Sequence, residues 1–211
     1  MRNIKYIVLH HSATEGGASE RSEVDAIMAN HRKQWVDQFP NYVCDYHYIV
    51  GRNGTVYVGQ PEEAAGWHAT NYVVNLESIG VCFLGNFEKD IMSKPQFDGG
   101  VNLLRWLKDK HGIKSENVLR HKDVISDRTG RKFSTLCPGK NFPYEELLTS
   151  IFSPFKDIDD AYPYIKEMLK LNQLGVVLGD SMYLRPKDYM TREEGFLIAY
   201  RILKLVKGEL M

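Results

Sequence analysis

Apolar residues run almost unbroken through Ile4 to Leu9 and again from Ile79 to Leu84, bounded by Gly85. Polar residues drop out of both stretches, which predicts two strands covered on both faces. Between them, Val24, Ile27, Met28, His31 and Trp35 recur at helical spacing, with Ser19 or Ser22 placed to cap the helix. Tyr46 to Val50 and Thr55 to Val58 flank Gly51-Arg52-Asn53-Gly54, a hairpin pattern because Asn-Gly supplies the positive φ of a tight turn. The segment Glu62 to Asn75 has no clean period and reads as a loop of small and aromatic residues. Phe97, Val101, Leu104 and Leu107 predict a helix from Lys94 to near His111, with Gly99-Gly100 weakening its start. Asn117 to Leu119 reads as a short strand, and Tyr144 to Phe152 as a helix stopped by Ser153-Pro154.

Strands alternating with helices predict an α/β domain over residues 1–152, built on a mixed central β-sheet flanked by helices. Residues 153–211 read as a small C-terminal helical domain. There Ile165, Met168, Leu169 and Leu174 share one helical face, and Thr191-Arg192-Glu193-Glu194 has the form of a capping box. Such a unit buries little surface alone, so it is expected to pack on the first domain or on other copies. The oligomeric state stays open.

Composition narrows the function classes. Of 211 residues, 27 are basic and 27 acidic, and the net charge of zero gives no electrostatic footprint for nucleic acid. No apolar run approaches a membrane span, so no membrane partner is expected. Cys44, Cys82 and Cys137 are an odd number at wide spacing, which argues against a disulfide framework and leaves at least one thiol for other work.

The candidate chemistry lies between Leu119 and Gly139. His121 leaves an apolar run there, and Cys137 follows after a polar loop. Imidazole and thiolate are donors that zinc prefers, and a catalytic zinc takes three protein ligands. His10, at the end of the first strand, is the natural third. The residues alone leave a second reading open, since a histidine at a strand end also serves as a structural hydrogen bonder.

Five motifs taken together change the balance: Ile7 to Thr14, Tyr46 to Val50, Gly66-Trp67-His68, Ser78 to Val81, and His121 to Val124 continuing to Thr135-Leu136-Cys137-Pro138-Gly139. In this order they resemble the type 2 N-acetylmuramoyl-L-alanine amidases, a family that includes phage lysozyme-type amidases and animal peptidoglycan recognition proteins. The resemblance covers about residues 4–150. It implies a Zn2+ hydrolase cutting the amide between N-acetylmuramic acid and L-alanine in bacterial peptidoglycan. It implies His10, His121 and Cys137 as metal ligands, and Tyr46 and Thr135 as catalytic residues. His68 would contact substrate, and Trp67 would stack on a sugar face. Some members carry a catalytic Glu where this chain has Cys82, so no carboxylate base is assigned. The fifteen residues from Lys122 to Leu136 form a longer loop than the family suggests. It reads first as a solvated excursion, alternatively as a groove wall. His11 should point away from the metal, His47 into the core, and His31 and His111 onto helix surfaces.

Residues 153–211 resemble a single S-layer homology module in Phe155 to Ile158, Gly175 to Asp180, Leu184 to Pro186 and Thr191 to Glu194. The resemblance implies a secondary cell-wall polymer as a further partner, with Arg192 as an anion contact, although such modules usually come in threes. The amino-terminal residues show no signal-peptide pattern. The expectation is therefore a phage or prophage endolysin made in the cytoplasm and acting on the wall after release. Two rivals stand beside it: a muropeptide-binding module without catalysis, and an amidase of wall recycling.

Overall fold

The computed structural model describes residues 2–16, 19–132, 134–152, 164–179 and 183–208. The chain forms two compact units, 1–151 and 152–211. The expected break at Ser153-Pro154, the module entry at Phe155 to Ile158, and Asp180 lie outside the described residues, as do the side chains of Ile165 and Leu169.

Unit one is a five-stranded sheet in the order β3-β2-β4-β1-β5. The strands are β1 (Tyr6–His11), β2 (Tyr48–Val50), β3 (Val56–Val58), β4 (Ser78–Phe83) and β5 (Val118–Arg120). β1 runs parallel to β4 and β5, β2 runs parallel to β4, and only the β2–β3 hairpin is antiparallel. The mixed sheet expected from the alternation is therefore present. Ile7, Val8, Leu9, Ile79 and Val81 are fully buried, as central strands covered on both faces must be.

Helices cover those faces. α1 (Glu20–Trp35) starts four residues before Val24, the first of its apolar positions, because Ser19, the earlier of the two expected caps, accepts from the Ser22 N–H. Its Val24 packs with Cys44, Ile49, Cys82 and Leu84. A short helix, α2 (Tyr72–Glu77), interrupts the expected loop, with the Asn71 side chain accepting from the Val74 N–H. α3 (Lys94–His111) keeps Gly99 and Gly100 inside its run. Packing explains that departure from propensity: a Cβ at Gly99 would sit 2.4 Å from the Gly54 carbonyl oxygen, and one at Gly100 would sit 2.5 Å from the Phe83 ring. α4 (Tyr144–Phe152) closes the unit, its Tyr144 hydroxyl donating to the Val118 carbonyl at 2.5 Å.

Arg2 clamps the segment between β3 and β4. Its guanidinium donates to the carbonyls of Glu62, Ala64, Asn75, Leu76 and Ser78 at 2.7–3.0 Å. A fork of five N–H donors thus fixes the stretch that carries Trp67 and His68. In unit two, α5 (Ile165–Gln173) and α6 (Arg192–Val206) are present, and α6 opens with the expected Thr191–Glu194 capping box. Among the described residues no helix is long and apolar enough to cross a membrane.

Candidate metal centre

Three elements converge at the carboxyl end of β1. His10, the penultimate residue of β1, is in register with Cys82 of β4. β5 hands the chain to a single 3-10 turn, His121–Asp123, which places His121 beside it. The segment after the long loop returns Cys137, tied by the Lys122 N–H to the Cys137 carbonyl at 3.0 Å and by the Cys137 N–H to Thr135 Oγ1 at 3.1 Å. One ligand atom from each of His10, His121 and Cys137 lies within 4.8 Å of the others. His10 Nδ1 and Cys137 Sγ are 3.8 Å apart, and the His10 and His121 ring centroids 4.6 Å.

This donor set fits a zinc ion. A nitrogen and a sulfur on one tetrahedral zinc are separated by roughly 3.6 Å. Burial holds both imidazoles in the neutral form that a ligand needs, His10 well below its ordinary pKa and His121 down to about 4, with neighbouring histidines adding to the effect. Burial also pushes the Cys137 thiol up to about 11, against the lowering influence of the His11 N–H, which donates to Sγ at 3.4 Å. A bound cation reverses that preference, since a coordinating thiol is deprotonated outright.

Tyr46 stands beside the cluster, its ring 5.0 Å from that of His10. Burial raises its pKa far above the ordinary value, with Cys82 and Cys137 adding to it, so the phenol keeps its proton at neutral pH. Thr135 is half-buried and accepts the Cys137 N–H, which makes it a support of the ligand as well as a neighbour of the site. Cys82 is fully buried with its pKa raised well above normal by the same burial, and it is no base.

Two histidines lie deeper in the protein than the sequence suggests. His68 is 6% exposed and lies beneath His10, with His10 Nε2 at 3.1 Å from its Nδ1 and Ser78 Oγ at 3.2 Å from its Nε2. Both ring nitrogens face partners inside the protein, so His68 forms part of the floor of the site. His31, expected on a helix surface, has Nδ1 accepting the Asp45 N–H at 3.2 Å and its ring 5.2 Å from Tyr46. Its place on the Val24, Ile27, Met28 stripe already carried that signal. His11 does face away, accepting the Phe87 N–H, and His47 is fully buried.

Trp67 belongs to an aromatic shelf outside the metal cluster. It stacks on Tyr72 at 5.8 Å between centroids and touches Phe39 and Trp35. A cavity of about 820 Å³ opens there, lined by Trp35, Phe39, Trp67, Tyr72, Asp127 and Arg128 among others. Its far wall comes from the long loop, which is no free excursion. Ile125 pairs with Lys132, the Tyr72 N–H donates to Asp127 Oδ2 at 2.6 Å, and Asn71 Nδ2 donates to the Ile125 carbonyl at 2.9 Å. Ser126 to Thr129 thus line the cavity, while residues 127–132 remain exposed.

The family model described as N-acetylmuramoyl-L-alanine amidase matches residues 1–140. The chain belongs to this amidase family. A second model, the S-layer homology domain, matches residues 154–194. Peptidoglycan-recognition protein SC2 of Drosophila melanogaster is 30% identical over 152 residues, covering 69% of this chain and 73% of the relative. The endolysin of Escherichia phage T7 is 39% identical over 93 residues, covering 44% of this chain and 52% of that protein. Among solved structures, the N-acetylmuramoyl-L-alanine amidase LysC from Clostridium intestinale URNW is similar with a TM-score of 0.54 and 30% identity, over 69% of this chain and 83% of LysC. The amidase-family fold thus accounts for the mixed sheet and its flanking helices.

Proposed function

We propose that unit one is a zinc-dependent amidase that hydrolyses the bond between N-acetylmuramic acid and the first L-alanine of peptidoglycan. The observation that carries this reading is the buried His10, His121 and Cys137 triad, with its ligand atoms within 4.8 Å of one another and both imidazoles neutral. Those three residues would hold the ion. When bound, zinc supplies a water of lowered pKa and a Lewis acid for the scissile carbonyl. Tyr46, kept protonated by its surroundings, donates a hydrogen bond toward the charge that develops on the carbonyl oxygen. Thr135 holds the Cys137 backbone with its oxygen lone pair and keeps its one O–H as a second donor. The aromatic shelf and loop wall give the polymer a surface beyond the scissile bond, with Trp67 as the stacking face.

Likeness to phage T7 endolysin and to LysC supports a lytic enzyme released to the bacterial wall. The S-layer homology match supports a cell-wall polymer as the partner of unit two. A binding-only role is the second reading, favoured by likeness to peptidoglycan-recognition protein SC2. Intact sacculi separate the two. The expected result is new N-terminal L-alanine, abolished by a chelator, restored by zinc and absent in His121→Ala. Sacculus binding without any release of L-alanine by the zinc-loaded chain would leave the recognition reading standing.

A further inference from the structure

We propose that His68 is a positioning residue that fixes which nitrogen of His10 faces the metal, acting through a buried relay that ends on Ser78. This deepens the zinc reading above and rests on it. His10 is 1% exposed, His68 6% and Ser78 0%, so no solvent competes for their polar atoms. His10 presents Nδ1 to Cys137 Sγ at 3.8 Å and Nε2 to His68 Nδ1 at 3.1 Å. A neutral imidazole has one N–H and one lone pair. If Nδ1 is the ligand atom, the His10 proton must sit on Nε2 and point at His68 Nδ1. That nitrogen must then be a lone pair, which puts the His68 proton on Nε2, aimed at Ser78 Oγ at 3.2 Å. One choice at the metal therefore sets both tautomers.

The backbone is built for this ring. A Cβ at Gly80 would come within 2.5 Å of His68 Cδ2 and 2.9 Å of its Nε2, so only glycine lets the imidazole lie there. The ring planes of His10 and His68 stand at 82° to each other with centroids 5.1 Å apart, and the two rings approach through the nitrogen pair at 3.1 Å. His47 closes the opposite side. Its Nδ1 accepts the Gly80 N–H at 3.0 Å, and its Nε2 lies 2.8 Å from Arg2 Nη1 and 3.1 Å from the Ala64 carbonyl, so both its ring nitrogens are engaged away from His68. Metal-bound histidines usually donate to a carboxylate, a carbonyl or water. Here a second imidazole takes that place, and it orients the ligand only while it is in the right tautomer itself.

The test is zinc affinity by chelator competition on the full chain, with circular dichroism reporting the fold. Loss of such a partner typically weakens metal binding by roughly 10–100-fold. His68→Ala is expected to show that loss, and His68→Asn, whose Oδ1 restores an acceptor near the place of Nδ1, to recover most of it. Equal zinc affinity in wild type and His68→Ala, with Cys137→Ser losing zinc, would overturn the relay and leave the metal reading intact. Failure of the wild-type chain to bind zinc would overturn the metal reading and the relay with it. If His68→Ala does not fold, nitrogen-15 spectra of the wild-type imidazoles decide: Nε2–H on both His10 and His68 in the zinc-loaded chain supports the relay, and Nδ1–H on His68 overturns it.

Discussion

The floor and the outer wall of the site are held by different means. On the floor, His10, His47, His68, Ser78 and Gly80 are buried and bonded among themselves, with His10 held in β1 and Ser78 and Gly80 in β4. The wall formed by residues 125–132 is mostly exposed and rests on a few contacts at its edge, chiefly Asp127 to the Tyr72 N–H and Asn71 to the Ile125 carbonyl. A floor residue is placed by everything around it, so changing it propagates to the metal cluster. A wall residue is placed by one or two bonds, so changing it reshapes the cavity and leaves the cluster alone.

Acid should break the floor first. Burial lowers the pKa of His10, His47, His68 and His121, so the unfolded chain binds more protons than the folded one below about pH 6.5. Stability is then fully present above that pH and is lost as pH falls toward the folded values, about 4 for His47. With metal chelated, urea unfolding should show stability dropping by about 1.4 kcal/mol per pH unit for each such proton, and His47→Gln should remove one proton's share of that slope. Constant stability from pH 7 to 4 would contradict the floor's neutral histidines.

Arg2→Met comes next, since it strips donors from five carbonyls of the 62–78 segment. We expect about 2–3 kcal/mol of lost stability together with weaker zinc binding, because the same segment carries His68. Gly80→Ala sharpens the contrast further. Its Cβ must displace His68, at a cost of about 1–3 kcal/mol by chemical denaturation and with reduced zinc affinity. Asp127→Ala should have the smallest effect, about 0.5–1.5 kcal/mol or less, with zinc affinity unchanged and only sacculus binding or turnover altered. A loss of zinc in that variant would erase the distinction between floor and wall.

Legibility in the sequence followed the same division. β1 and β4 were readable because strands covered on both faces have no polar residues to confuse the period, and α6 announced itself through its capping box. α2 was missed because six residues carry too little periodicity, and its cap, Asn71, sits among other turn formers. His10, His121 and Cys137 were legible through motif resemblance, and not through spacing, because their separations in the chain are set by the sheet order. His68 was recognised as part of a motif, but its burial beneath His10 was not legible. Nothing in Gly66-Trp67-His68 reveals that Arg2 and Gly80 draw the ring inward.

The chain's own pattern therefore determined the two-part organisation, the buried central strands and the longer helices. These follow from local preference and from which side chains leave water, and both are written residue by residue. Only the tertiary structure decided that the long loop docks on α2 as a wall, that Gly99 and Gly100 stay helical, and that His68 turns beneath His10. Each of those depends on a partner more than ten residues away, and the contact energy that selects it exists only once the sheet has brought the partners together.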